Sequence, residues 1–183
     1  MATITECICA DIAKLVMGRP SRLKALGLVL TNRGLQSMIL YRLSHMLWQR
    51  RIPLLPLVLT RLAQHLFAVD ISYMANLGPG IVIVHGFGLV IGGRTILEGD
   101  CCLYHGVTLG DRGSAWVSSS RTDGHPIVEP NVMIGAGAKI LGPIRIGHNS
   151  VIGANSVVIQ DVPPNSIVAG VPGRVVSQRP DPG

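Results

Sequence analysis

The chain has 183 residues, 48% of them hydrophobic, with 14% charged, 4% aromatic and 22 glycines. High apolarity and low charge exclude intrinsic disorder, and so few rings exclude a base-stacking nucleic-acid platform. The net charge of +6 is uneven: residues 1–69 carry nine Lys and Arg against Glu6 and Asp11 (+7), residues 70–183 seven against eight Asp and Glu (−1).

The start, MATITECICADIAKLV, has no basic n-region, so no signal peptide is expected. No uncharged apolar run reaches the length of a membrane span; the nearest, Ile52 to Phe67, is interrupted by Arg61 and His65. From Glu6 to Phe67 the pattern is helical. Thr3 or Thr5 caps a first helix that Gly18-Arg19-Pro20 ends. Ser21 opens a second apolar stretch, broken at Asn32-Arg33-Gly34. Leu35, Ile39, Leu40, Leu43 and Leu47 recur at helical spacing, and Pro53 and Pro56 start a last helix. Residues 1–69 thus read as a small α-helical cap. Cys7, Cys9, Cys101 and Cys102 match neither a CxxC metal site nor a disulfide frame, which points to a reducing compartment and no metal.

After Asp70 the period becomes six. Ile71, Leu77 and Ile83 follow one another at that spacing, then Ile91, Leu97, Leu103 and Leu109, then Val128, Ile134, Ile140, Ile146, Ile152 and Val158. Four residues after most of these stands a small or β-branched side chain, among them Ala75, Thr95, Val107, Ala138, Ser150 and Ser156. A sustained hexad signals a parallel β-helix: each hexad is one short strand and one turn, and three make a triangular coil with the aliphatic inside. Residues 70–177 form this solenoid and 178–183 a tail. Cys101 falls at position five and points inward, against an acyl-cysteine route. The repeat slips twice. Two extra residues lie just after His85, and residues 110–127 form a polar extruded loop that contains His125. Interruptions in a regular repeat are where function is expected.

Position therefore singles out His85 and His125 among six histidines; His45 and His65 lie on helices, His148 in a regular turn, and His105 in a turn before the loop. Asp70, fifteen residues before His85, is expected to stack near it and orient the imidazole.

The run VDISYMANLGPGIVIVHGFGLVIGG, with GVTLGDRG, DGHP and the stretch from VMIGAGAKILG to AGVPGRVV, resembles the serine acetyltransferases, a family of hexapeptide-repeat acyltransferases. The likeness covers about residues 35–177. It implies a left-handed parallel β-helix using acetyl-coenzyme A, with His85 as catalytic base, Asp70 as its orienting carboxylate and His125 as second active-site histidine. The family's site lies between neighbouring prisms, which implies a homotrimer. The backbone around Gly110, Ala136, Gly137 and Ala138 would line the pantetheine arm, and Lys139 or Arg174 would meet the phosphates.

The sequence departs from the family where serine's charges are held. Val84 stands where an Asp usually precedes the base, Gly124 where an Arg precedes the second histidine, and SRLKALGLVL in the cap offers no acid. Asp123, Arg121 and Arg112 are the charged residues left to compensate. A sugar hydroxyl in exopolysaccharide assembly is therefore the alternative acceptor, and a non-catalytic hexapeptide scaffold the third reading. The enzyme is expected in the cytoplasm, with the basic cap suited to the inner membrane face. The chain ends in Asp-Pro-Gly, without the isoleucine that docks the family into cysteine synthase, so that docking is not expected.

Overall fold

The structure, a computed structural model, describes residues 3–113 and 124–180. Four helices come first: α1 (Ile4–Leu15), α2 (Arg22–Thr31), α3 (Arg33–Gln49) and α4 (Leu55–Phe67). Their starts follow local chemistry. Thr3 and Glu6 form a capping box on α1, Ser21 caps α2, and Asn32 ends α2 while capping α3 through Leu35 N–H.

Fifteen strands then wind into a prism with three walls. Sheet A contains β1 (Val69–Ile71), β4 (Leu89–Ile91), β7 (Thr108–Gly110), β10 (Lys139–Leu141) and β13 (Val157–Val158). Sheet B contains β2 (Asn76–Leu77), β5 (Ile96–Leu97), β8 (Ile127–Val128) and β11 (Arg145–Ile146). Sheet C contains β3 (Val82–Val84), β6 (Cys102–Tyr104), β9 (Met133–Ile134), β12 (Val151–Ile152) and β14 (Ser166–Ala169), with β15 (Arg174–Gln178) turned back antiparallel on β14. All other pairings are parallel, each strand bonding to the strand one coil on. This is the parallel β-helix that the hexads require. Leu103, Leu109, Ile134, Ile140, Ile146 and Ile152 are completely buried, and so are Ala75, Thr95, Val107, Ala138, Ser150 and Ser156 beside them. Slim residues at position five let neighbouring aliphatics meet at native density in a narrow prism.

The turns obey a second rule. At the B–C corner Gly80, Asp100, Asn131, Asn149 and Asn165 all have positive φ, and at the C–A corner Gly106, Gly137, Asn155 and Gly170 do. Glycine, Asp and Asn, which tolerate the left-handed region, fill these positions.

Helix α3 closes the open base of the prism. Gly34 is required because a Cβ would lie 2.0 Å from Ile83 O. Tyr41 Oη donates to Ala75 O at 2.7 Å. Arg42 grips Asp11 of α1 through two bonds of 2.6 and 2.8 Å and also donates to Leu77 O and Gly78 O. Ile81 N–H donates to the same carboxylate at 2.8 Å. Burial pushes the Asp11 carboxyl upward, against the pull of Arg42 and of the Ile81 amide.

Candidate active site

His85 ends β3 and opens the turn into β4. Gly86 N–H closes onto Val84 O at 2.9 Å, a γ-turn with His85 at φ 65°. Among the described residues of the prism every other non-glycine residue with positive φ is Asp or Asn. A histidine in this strained form is held there by its surroundings, the mark of a functional position. Those surroundings are explicit: Gly86 has no room for a Cβ free of Ile83 and Val69, each 3.1 Å away, and Gly88 N–H donates to Ala68 O at 2.9 Å. The result is an exposed imidazole on a fixed turn.

The register corrects one expectation about Asp70. Asp70 pairs with Val90, twenty residues on, because the two extra residues lengthen the first coil; Asp70 is thus not stacked beneath His85. It sits exposed at the centre of β1, and the His85 turn packs on its neighbours Ala68 and Val69. Among the described residues no hydrogen bond or ion pair joins Asp70 to His85; such bonds commonly tighten only with substrate in place.

His125 lies at the A–B corner, just before β8. Its ring covers Gly92, where a Cβ would come 2.6 Å from the imidazole. Partial burial lowers its pKa; Asp111 draws it up and Arg94 down. Its Nδ1 is buried with no partner among the described residues, which leaves an acceptor or donor for a group from outside them. His85 and His125 therefore occupy different corners of one prism. Asp123 and Arg121 lie outside the described residues. Arg112 runs along sheet A, donating to Leu141 O at 3.2 Å and to Ile159 O, and does not compensate at either histidine through a described contact.

The cofactor residues divide similarly. Ala136 and Gly137 form a ridge at the C–A corner, where a Cβ on Gly106 would lie 3.4 Å from Gly137 Cα. Gly110 ends β7 at the A–B side, where a Cβ would make only an ordinary contact with Thr108 Cγ2 at 3.9 Å. Ala138 faces the core; its N–H bonds to Gly135 O and its C=O to Thr108 N–H. Lys139 Nζ donates to Gly106 O and, at 3.1 Å, to Thr108 Oγ1. Arg174 is exposed on β15 and donates to Gly173 O at 3.0 Å, leaving most of its fork open for phosphate. A side-chain-poor ridge with a cation at one end fits a pantetheine chain and its phosphates. Cys101 is wholly buried, and burial pushes its thiol up to about 11, so it is no nucleophile at neutral pH. No group of metal-ligating residues occurs among the described residues.

The residue that sequence spacing undervalued is His105. Its ring meets that of His85 edge to face, with centroids 6.1 Å apart. The signal was present in the twenty-residue separation of the two histidines, one lengthened coil.

A β-helix with histidines on its corner turns defines a hexapeptide-repeat transferase, and the family model for bacterial transferase hexapeptide repeats (six repeats) matches residues 125–160. The serine acetyltransferase of Synechococcus elongatus is 43% identical over 169 residues, 92% of this chain and 67% of that protein. That of Mycobacterium tuberculosis is 44% identical over 165 residues, 90% of this chain and 70% of its own. The chain belongs to the serine acetyltransferase family. It spans 52% of the Escherichia coli member, at 42% identity. The serine acetyltransferase of Brucella abortus in complex with coenzyme A superposes with a TM-score of 0.86 and 35% identity over 96% of this chain and 68% of that one. A serine acetyltransferase in complex with cysteine gives 0.86 and 39% over 97% of this chain and 67% of that one.

Proposed function

We propose that this chain transfers acetyl from acetyl-coenzyme A to the hydroxyl of a small acceptor, L-serine by family membership. The observation that carries the reading is His85, an exposed imidazole fixed at positive φ on an extra turn. A thioester is already activated, so the acceptor hydroxyl needs only to lose its proton as it attacks. Neutral imidazole suits that task near pH 7. Asp70, from the strand on which the turn packs, orients the ring and stabilises the imidazolium. The ridge of Ala136 and Gly137 receives pantetheine, Gly110 the same arm from the other side, and Arg174 a phosphate.

His85 and His125 lie at separate corners, so a compact site needs the His125 corner of a second prism. A closed cyclic trimer supplies three such sites. The cap places Leu23, Leu26 and Leu30 of α2 and Leu62 and Leu66 of α4 in solvent among Arg22, Lys24 and Arg61. This combination suits peripheral contact with an anionic bilayer, with the enzyme in the cytoplasm.

One observation favours a second acceptor. The residue before the base is Val84, half-buried and apolar, and Gly124 precedes His125. An ammonium left unpaired there costs several kcal/mol. A sugar hydroxyl in exopolysaccharide biosynthesis demands no such partner. A thiol-release assay with serine and a sugar panel, on wild type and His85→Ala, tests both. Loss of release in the variant is expected with the true acceptor. Release from neither class would leave a scaffold without catalysis and overturn the reading.

A further inference from the structure

The ridge at the C–A corner carries two imidazoles. Ile83 pairs with Leu103 and Leu103 with Ile134, so His85, His105 and Ala136 follow these core residues on three successive rungs, about 4.8 Å apart. His105 is pinned from both sides. Gly106 N–H donates to Phe87 O at 2.7 Å, and Gly137 N–H to His105 O at 2.9 Å. Because the first coil has two more residues, His85 loops outward and its ring reaches that of His105, with centroids 6.1 Å apart. Charged and titratable groups on this side are His85, Tyr104, Lys139 on Gly106 O, Asp70 on β1, and Arg33, whose guanidinium lies 4.6 Å from the Phe87 ring centre.

In the acyl-transfer reading the reacting carbonyl sits at His85 and the pantetheine arm at Ala136 and Gly137. The carbon–sulfur bond then crosses the rung between them, which is that of His105. We propose that His105 is the general acid that protonates the departing thiolate, an inference that rests on the acyl-transfer reading. His85 takes the acceptor's hydroxyl proton as oxygen bonds to the acyl carbon. The carbon–sulfur bond breaks, its electron pair stays on sulfur, and the His105 imidazolium gives sulfur a proton. His85 then returns its proton to His105 across the ring contact, directly or through one water. The acetylated acceptor and free thiol leave with both histidines restored.

The test is His105→Gln, assayed with two acetyl donors. With acetyl-coenzyme A, whose alkyl thiolate is a basic leaving group, kcat should fall on the order of 10². With the acetyl ester of an acidic arylthiol, whose thiolate leaves without a proton, kcat should change little. Equal losses with both donors would overturn the acid role. A second readout needs no turnover: coenzyme A added to wild-type protein should shift the His105 ring resonances. If the Ala136 amide responds while the His105 ring does not, the proposal falls. If neither responds, the cofactor site itself is misplaced and the inference falls with it. Full acetyl transfer by His85→Ala would instead mark failure of the underlying reading.

Discussion

In the prism seven successive position-one aliphatics, from Leu103 to Ile152, are completely buried; in the cap, helix α2 buries no side chain and leaves Leu23 81% and Leu30 69% exposed. The charge divides in the same way, +7 in residues 1–69 against −1 beyond. The prism completes its core within the chain and puts chemistry on its turns. The cap spends α3 on sealing the prism and leaves α2 and one side of α4 exposed. Regular repetition thus frees the corners for function, while the irregular part carries the contacts that hold the repeat in place.

The largest break in this contrast should come from a turn that contributes nothing to the core. His85→Gly is expected to lower turnover by roughly 10² to 10⁴, the worth of a positioned base, and to leave the unfolding temperature equal or higher, because glycine relieves a positive φ. A large thermal loss in that variant would show that the turn is structural.

The next largest is at the joint. Arg42→Met strands Asp11 in the interior and should cost about 3–5 kcal/mol, read by denaturant unfolding, whereas Asp11→Leu with Arg42→Met together should cost much less. Equal losses would show that the pair itself, and not the orphaned charge, holds the cap. Inside the prism Ile140→Ala should cost about 2–5 kcal/mol through its cavity, with kcat per folded molecule unchanged.

A smaller effect concerns pH. Partial burial lowers the pKa of His125, so the unfolded chain takes up its proton first. The neutral ring contributes stability above the ordinary histidine value of about 6.5, and this is lost as pH falls below it. Ring proton titration should find His125 below that value; a midpoint above it would contradict the packing on Gly92. Smallest is the cap surface. Leu26→Glu should reduce sedimentation with anionic vesicles, and raised salt should reduce it further, each basic residue being worth about 1 kcal/mol near such a surface. Unchanged binding to neutral vesicles would remove the charge argument.

Much of this was legible in the residues. Hexads survive as buried columns, and Thr3, Ser21 and Asn32 announce their helices, because both signals are local. The extra turn at His85 was visible as a slip in period. Its outcome was not: an insertion lengthens one coil, so Asp70 falls beside Val90 and His85 swings toward His105. Spacing counts residues, whereas stacking depends on which residues loop out. The Asp11–Arg42 clamp joins residues thirty-one apart with no local pattern to announce it, and the separation of His85 from His125 needs the handover between walls to be known.

The strand β15, laid antiparallel on β14, has a consequence for how the prism is made. Each coil bonds only to its neighbours, so stability adds up coil by coil along one dimension. The cap holds the first coils, through Tyr41 and Arg42 at the base and through Lys14 to Asp100 and Asn131 further along. The far end would otherwise present an unpaired parallel edge to the next molecule. By reversing direction there, β15 ends the ladder of sheet C with a strand of the wrong polarity for another coil.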